Sequence, residues 1–300
     1  METIIRSDKG NDVIELLAPA KLNLVLEVLG KRPDGYHEIS SIMQSVSLYD
    51  RLIFLPSREL HLFSNYNGIS VENNLIIRAA EMLKTRYGVG RGATIELEKH
   101  IPVSAGLGGG SSDAAAALVG LNRLWSLNLS FDELMQIGSE MGSDIPFFLK
   151  KGTCLAQGRG NIITALPDID ETWFILINPQ VAKPDAKTAF MYGLIDKSHF
   201  TDGGYTDKLC KLLVEKCRLD GCSLFNVFDG VAFLAYQGLE RFHRLFKKYA
   251  DVDIHLAGSG PGIFALIGEK ERALWIAEKL TQQRLEVHLA KSITGNEIGY

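Results

Sequence analysis

From Val13 to Leu29 the chain reads VIELLAPAKLNLVLEVL. Leu22, Leu24, Leu26 and Val28 alternate with Asn23, Val25 and Glu27, the two-residue period of a strand with one apolar face. Arg51–Leu55 and Ala93–Glu98 (ATIELE) predict two more strands. The period then changes. Over Asn74–Arg86 the apolar residues Leu75, Ile76, Ala79, Ala80 and Leu83 fall on one helical face. The alanine-rich segment Ser112–Trp125 and the segment Phe131–Met141 predict two further helices. In the second half, Thr172–Asn178 (TWFILIN) is a compact buried-strand pattern. Helices are expected over Thr206–Lys216 and Asn226–Tyr249, and strands at Asp253–Ala257 and Ile263–Ile267 about a glycine turn. A helix over Glu269–Gln283 and a strand at Glu286–Leu289 complete the pattern. Strand and helix runs are mixed without regular alternation, which predicts an α+β fold rather than a doubly wound sheet. The 300 residues suit two lobes or one large domain. A boundary near Leu166–Glu171 would divide 1–168 from 169–300.

Composition narrows the class. With 46% apolar and 23% charged residues the chain can bury a substantial core without covalent staples. A net charge of −4 offers no basic stripe for nucleic acid or a membrane surface, so any anionic substrate must be met by local donors. Cys154, Cys210, Cys217 and Cys222 show neither CxxC spacing nor a zinc-like pairing with histidine, and read as reduced thiols. The first residues, METIIRSDKGNDVIELLAP, are charged throughout, unlike a signal peptide. No segment approaches the roughly 18 uninterrupted apolar residues of a membrane helix. The expectation is a cytoplasmic monomer or homodimer whose partner is a small molecule.

The strongest local signal is Pro102-Val103-Ser104-Ala105-Gly106-Leu107-Gly108-Gly109-Gly110-Ser111-Ser112-Asp113. Four of the five residues from Gly106 to Gly110 are glycine, set between a strand and an alanine-rich helix. Without a Cβ the backbone can approach a ligand closely. The following helix offers unpaired N–H groups and its positive dipole end, with Ser111 and Ser112 as expected caps. Such an arrangement binds phosphate. It is not a Walker loop, because Gly110 stands where that motif has lysine, and GxGxxG fails at Ser111. A mere flexible turn is the plainer reading.

On this loop the chain resembles the GHMP kinases, whose phosphate-binding signature is close to Pro-xxx-Gly-Leu-Gly-Ser-Ser. Three more segments are similar to those of the superfamily's kinases for 4-diphosphocytidyl-2-C-methyl-D-erythritol. They are Ala18-Pro-Ala-Lys21-Leu-Asn23, Arg32-Pro-Asp-Gly-Tyr36-His37 with the following Ser-Ser-Ile-Met-Gln44, and Gly142-Ser-Asp144-Ile-Pro146-Phe-Phe. Gly258-Ser-Gly260-Pro261 matches the third glycine motif. The resemblance spans Ala18 to Pro261 in order. It implies a two-lobed fold with the active site in the cleft between lobes, ATP as phosphoryl donor, and Mg²⁺ to neutralise phosphate charge.

By the same resemblance Asp144 is the catalytic base and Lys21 the cation beside it. Asn23 shares the strand face of Lys21 and is expected to reach the substrate. Tyr36 is implied to stack on the cytosine and His37 to bond its edge. Residues 102–112 are implied to hold ATP together with Asn74, whose plainer role is to cap the helix that follows. No carboxylate is marked as a metal ligand, and Asn178–Phe190 has no assigned contact. The chain departs from the family pattern at Gly262, where Thr or Ser is usual, at Leu256-Ala257, where Met-Ser is common, and at Asn226-Val-Phe-Asp229. A GHMP kinase for homoserine or a mevalonate, or a non-catalytic sensor on the same fold, are the alternatives. The Tyr36–His37 segment speaks against the first, and retention of Lys21 and Asp144 against the second.

Overall fold

The computed structural model describes residues 3–6, 12–68, 74–295 and 297. The first half contains strands β1 (Thr3–Arg6), β2 (Asp12–Lys31), β3 (His37–Ser57) and β4 (Leu60–Ser64), helix α1 (Leu75–Tyr87) and β5 (Gly92–Glu98). Helices α2 (Gly109–Leu124), α3 (Phe131–Met141) and α4 (Ile145–Lys150) follow, then β6 (Thr153–Gly158) and β7 (Ile162–Ala165). The remainder holds β8 (Trp173–Ile177), α5 (Lys187–Gly193), α6 (Gly204–Val214), β9 (Phe225–Asn226), α7 (Ala232–Ala235), α8 (Leu239–Ala250), β10 (His255–Leu256), β11 (Ile263–Gly268), α9 (Lys270–Gln282) and β12 (Val287–Lys291).

The strands form an eight-stranded sheet, with the order β1-β2-β3-β5-β4 extended by β6, β7 and β9, and a four-stranded sheet in the order β10-β11-β8-β12. Helices α1 to α4 cover one face of the first sheet, and the fully buried alanines Ala114–Ala117 of α2 let that helix lie close in the core. Helix α3 starts on a capping box between Ser130 and Glu133. A second core joins the four-stranded sheet to α8 and α9. A third lies between the lobes, where Leu22, Leu24, Val25, Ile42 and Val46 meet Phe174, Leu176, Leu209, Leu213 and Phe264.

The alternation in β2 changes phase. The register shifts between Asn23 and Val25, a bulge that leaves one residue without a partner opposite. Leu22, Leu24 and Val25 therefore pack between the lobes, while Leu26 and Val28 move to the core around Phe228. The expected single apolar face over Leu22–Val28 is thus two half-faces, and the nominally polar positions are buried as well.

Other boundaries move for identifiable reasons. The expected helix over Asn226–Tyr249 is a 3₁₀ turn (Val227–Val231), the short α7 and α8, broken at Tyr236–Gly238 with Gly238 at φ +86°. Asn226 caps Phe228 N and Asp229 accepts Leu256 N at 2.8 Å, so this stretch serves a neighbouring turn rather than continuing as a helix. The strand expected at Asp253–Ala257 shortens to His255–Leu256. Strand β3 extends far ahead of Arg51, while β4, β6, β7, α4 and α5 carry too few residues for a periodic signal.

Glu27 ties the lobes together. Fully buried in β2, its carboxylate accepts Thr206 N at 2.8 Å and Thr206 Oγ1 at 2.6 Å, meeting the free N–H groups that open α6. Glu27→Ala leaves these donors buried and unpaired. It should lower unfolding free energy by about 2–3 kcal/mol, read as a fall in the denaturation midpoint.

Candidate active site

The two lobes enclose a cavity of about 1430 Å³. One wall is the glycine loop, held by backbone contacts on both sides. Lys21 N in β2 donates to Leu107 O at 3.0 Å, and Gly262 N from the second lobe donates to Ala105 O at 3.0 Å. Gly106 has φ +92°, and a Cβ there would stand 1.7 Å from Ala257 O. Gly108, at φ +74°, lies over Phe148 and the Lys21 stem, with room for no side chain. The loop is therefore packed into a fixed shape. At Gly262, where the chain departs from its family pattern, a Cβ would approach Ala105 O to 2.5 Å.

Residues 102–111 all line the cavity. Ser112 does not: it is fully buried in α2, with Oγ unpartnered among the described atoms. The expected caps also differ. Helix α2 begins at Gly109 with Gly108 as its N-cap and no side-chain cap bond, so Ser111 and Ser112 lie inside the first turn. That first turn faces the cavity without a capping side chain across it. Asn74 lines the cavity and caps α1, its Oδ1 accepting Ile76 N at 2.8 Å.

Lys21 and Asp144 come together although 123 residues apart. Asp144 is the N-cap residue of α4 but makes no capping bond with its side chain, and Pro146 removes one donor from that first turn. Its Oδ2 lies 3.8 Å from Lys21 Nζ. Lys21 is 5% exposed, and burial draws its ammonium below the ordinary lysine range while the Asp144 charge opposes that shift. Asn23 is placed to hold this lysine: its Oδ1 accepts Nζ at 2.5 Å and its Nδ2 donates to Ser41 Oγ at 2.7 Å.

Tyr36 and His37 sit where the β2–β3 hairpin meets the cavity. The Tyr36 ring is 55% exposed, with the Arg159 guanidinium 4.8 Å from its centroid. The His37 ring stacks on Tyr192 at 5.0 Å, and partial burial followed by the charge of Lys31 lowers its pKa, favouring a neutral imidazole. Gly258 and Ser259 of the turn Gly258–Pro261 also line the cavity, the turn being fixed by Asn226 Nδ2 on Leu256 O (2.9 Å) and Gly258 O (2.8 Å) and by Tyr236 Oη on Ser259 O (2.5 Å).

Sequence reasoning passed over several lining groups. Lys187 and Tyr192 enter from α5, and Arg159 from the turn after β6. Lys99 Nζ bonds Asp50 Oδ2 at 2.5 Å and Asp113 Oδ2 at 2.9 Å just under the loop. The Asp113 at the end of the loop motif was a readable signal for this cluster, but its partners lie in β3 and just past the end of β5. Two carboxylates here share one ammonium. Burial first, and the nearby Asp50 charge, push the Asp113 carboxyl up to about 8 against the pull of Lys99. A carboxyl raised in the folded state contributes stability that is full below its unfolded pKa, near 4, and is lost as pH rises toward 8. Asp113→Asn should therefore flatten the decline in stability between pH 5 and pH 8, seen by comparing melting temperatures at the two pH values.

The family described as GHMP kinases N terminal domain matches residues 74–152, the span from the α1 cap through the loop to the end of α4. A 4-diphosphocytidyl-2-C-methyl-D-erythritol kinase of Dehalococcoides mccartyi is 39% identical over 94% of this chain and 99% of its own. A crystal structure of 4-(cytidine 5'-diphospho)-2C-methyl-D-erythritol kinase superposes with TM-score 0.79 at 29% identity, covering 93% of this chain and 98% of that one. Homoserine kinase from Cytophaga hutchinsonii shares the fold at TM-score 0.73 and 17% identity, covering 97% of each chain. With the loop, the Lys21–Asp144 pair and the hairpin arm around one cavity, the chain belongs to the 4-diphosphocytidyl-2-C-methyl-D-erythritol kinase family of GHMP kinases.

Proposed function

We propose that this protein transfers the γ-phosphoryl group of ATP to the C2 hydroxyl of 4-diphosphocytidyl-2-C-methyl-D-erythritol, giving the 2-phosphate and ADP. The step belongs to non-mevalonate isoprenoid precursor synthesis. One observation carries the reading: a single cavity joins three kinds of surface. The glycine loop and Asn74 suit a nucleotide triphosphate. Lys21 and Asp144 suit a reacting hydroxyl. Tyr36, His37 and Tyr192 give an aromatic face and a polar edge of the kind that reads a nucleobase. A kinase for a small alcohol has no use for that last surface. The division into lobes 1–168 and 169–300 is part of the same proposal. In its support, every strand of the four-stranded sheet follows residue 168, and the cavity is lined from both sides of that point.

In the proposed reaction the acceptor oxygen attacks the γ-phosphorus as the bond to the β,γ-bridging oxygen breaks. Asp144 orients the hydroxyl and takes its proton late, since a carboxylate is far too weak a base to ionise an alcohol beforehand. Lys21, fixed by Asn23, keeps that carboxylate in place and offsets charge gathering at the acceptor. Mg²⁺ accompanying the nucleotide would neutralise phosphate charge. Such an ion keeps several waters and needs only one or two protein oxygens. The Ser111 hydroxyl and the Asp144 carboxylate, both on the cavity wall, would be among the oxygen donors able to hold it. Among the described residues no group of three acidic, histidine or cysteine side chains gathers to hold a metal by itself. No helix among them is long and apolar enough to cross a membrane.

ADP release with ATP and Mg²⁺ should appear with the cytidyl substrate and not with homoserine or mevalonate. Asp144→Asn should lower kcat by about 10²–10⁴. Tyr36→Ala should raise KM for the cytidyl substrate while leaving that for ATP within about twofold. Turnover confined to a small alcohol would overturn the assignment.

A further inference from the structure

Helix α5 brings a further lysine into the cavity that Lys21 lines. Its N-cap residue, Ala186, is held at φ +46°, a left-handed conformation that a residue with a Cβ rarely adopts. Lys187 follows it and lines the cavity. Its Nζ donates to Gly260 O, and Thr188 Oγ1 lies 3.4 Å from Ser259 Oγ, so the start of α5 rests on the 258–261 turn. From the same segment Lys183 Nζ donates to Val103 O at 2.9 Å, on the glycine loop itself.

The surroundings of Lys187 are cationic. Burial first, then the charges of Lys21 and Lys183, draw its pKa down to about 8, and only Asp144 pulls the other way. Lys21 and Lys183 are likewise lowered by burial. A neutral carbonyl is poor compensation for an ammonium crowded by two others. A neutral donor would hold the turn at less cost. The charge is accounted for if a polyanion completes the site.

Resting on the kinase reading above, we infer that the Lys187 ammonium is a catalytic group, exchanging the Gly260 carbonyl for a non-bridging oxygen of the phosphoryl group in transfer. The acceptor oxygen bonds to phosphorus, the bridging bond breaks with its electron pair left on ADP, and the hydroxyl proton goes to Asp144. Lys187 keeps its protons throughout and donates a hydrogen bond that strengthens as charge spreads over the equatorial oxygens.

The test compares the parent enzyme with Lys187→Met and Lys187→Arg, all checked by thermal melting. Lys187→Met should lower kcat by about 100-fold. It should weaken binding of β,γ-imido-ATP by about tenfold while leaving ADP within about twofold. Lys187→Arg should recover most of the lost binding. In the parent, kcat/KM should fall above about pH 8 as the Lys187 ammonium loses its proton. Lys187→Arg should carry that limb upward, whereas titration of Lys21, Lys183 or Tyr192 would leave it in place. Wild-type kcat in Lys187→Met, equal weakening of ADP and the imido analogue, or a change confined to KM of the acceptor would each overturn the inference. An unmoved alkaline limb in Lys187→Arg would do the same should Lys187→Met fail to fold. A parent that binds both nucleotides but phosphorylates none of the three acceptors would refute the kinase reading instead. The analogue-to-ADP ratio would still decide the role of Lys187 in holding the γ-phosphate.

Discussion

An ammonium buried to 5% exposure in the middle of a strand must be compensated on every side, and the arrangement around Lys21 follows from that. Its backbone N–H is taken by the glycine loop, its Nζ by Asn23, and its charge is opposed by Asp144 across the cavity floor. Each of these contacts draws a different part of the chain to β2: the loop before α2, the neighbouring strand through Ser41, and the turn between α3 and α4. Moving any of them would leave a charge in a desolvated place. The lysine proposed to act in the reaction therefore also fixes where that reaction would occur.

The glycine loop is a second meeting point. It is bonded to the first lobe through Leu107 and to the second through Ala105, and Gly106 lets the Ala257 carbonyl come within contact of its Cα. The proposed phosphate-binding loop and the contact between the lobes thus use the same few residues. The turn at Gly258–Pro261 that closes on this loop is held by Asn226 and Tyr236, two buried residues that do not line the cavity. Their place in the site comes through the carbonyls they restrain.

Much of this could be read from local pattern. Helices α1 and α3 appear within a residue or two of their expected limits, because each has an amphipathic face and an N-terminal capping residue, Asn74 or Ser130. The loop announces itself through glycines that a mere turn does not need. Lys21, Asp144, Tyr36 and His37 were legible only through resemblance, since a lone lysine in a strand or an aspartate before Ile-Pro carries little local meaning. Less legible were the segments whose shape serves a partner. The break in the expected helix over Asn226–Tyr249 exists because Asn226 and Asp229 spend their side chains on the 256–258 backbone. Ser112, adjacent to residues that line the cavity, turns into the core because α2 starts at Gly109.

The sequence by itself determined the α+β class, the main helices, the phosphate-suited loop and, by resemblance, the choice of Lys21 and Asp144 as the proposed reacting pair, because periodicity, glycine spacing and motif order are local properties of a chain. Tertiary structure alone decided the bulge that splits the apolar face of β2, the sharing of Lys99 between Asp50 and Asp113, and the entry of Lys187 beside Lys21. Each depends on residues tens to hundreds of positions apart being pressed into one low-dielectric space. There the cost of an unpaired charge or an unmatched backbone group outweighs any local preference.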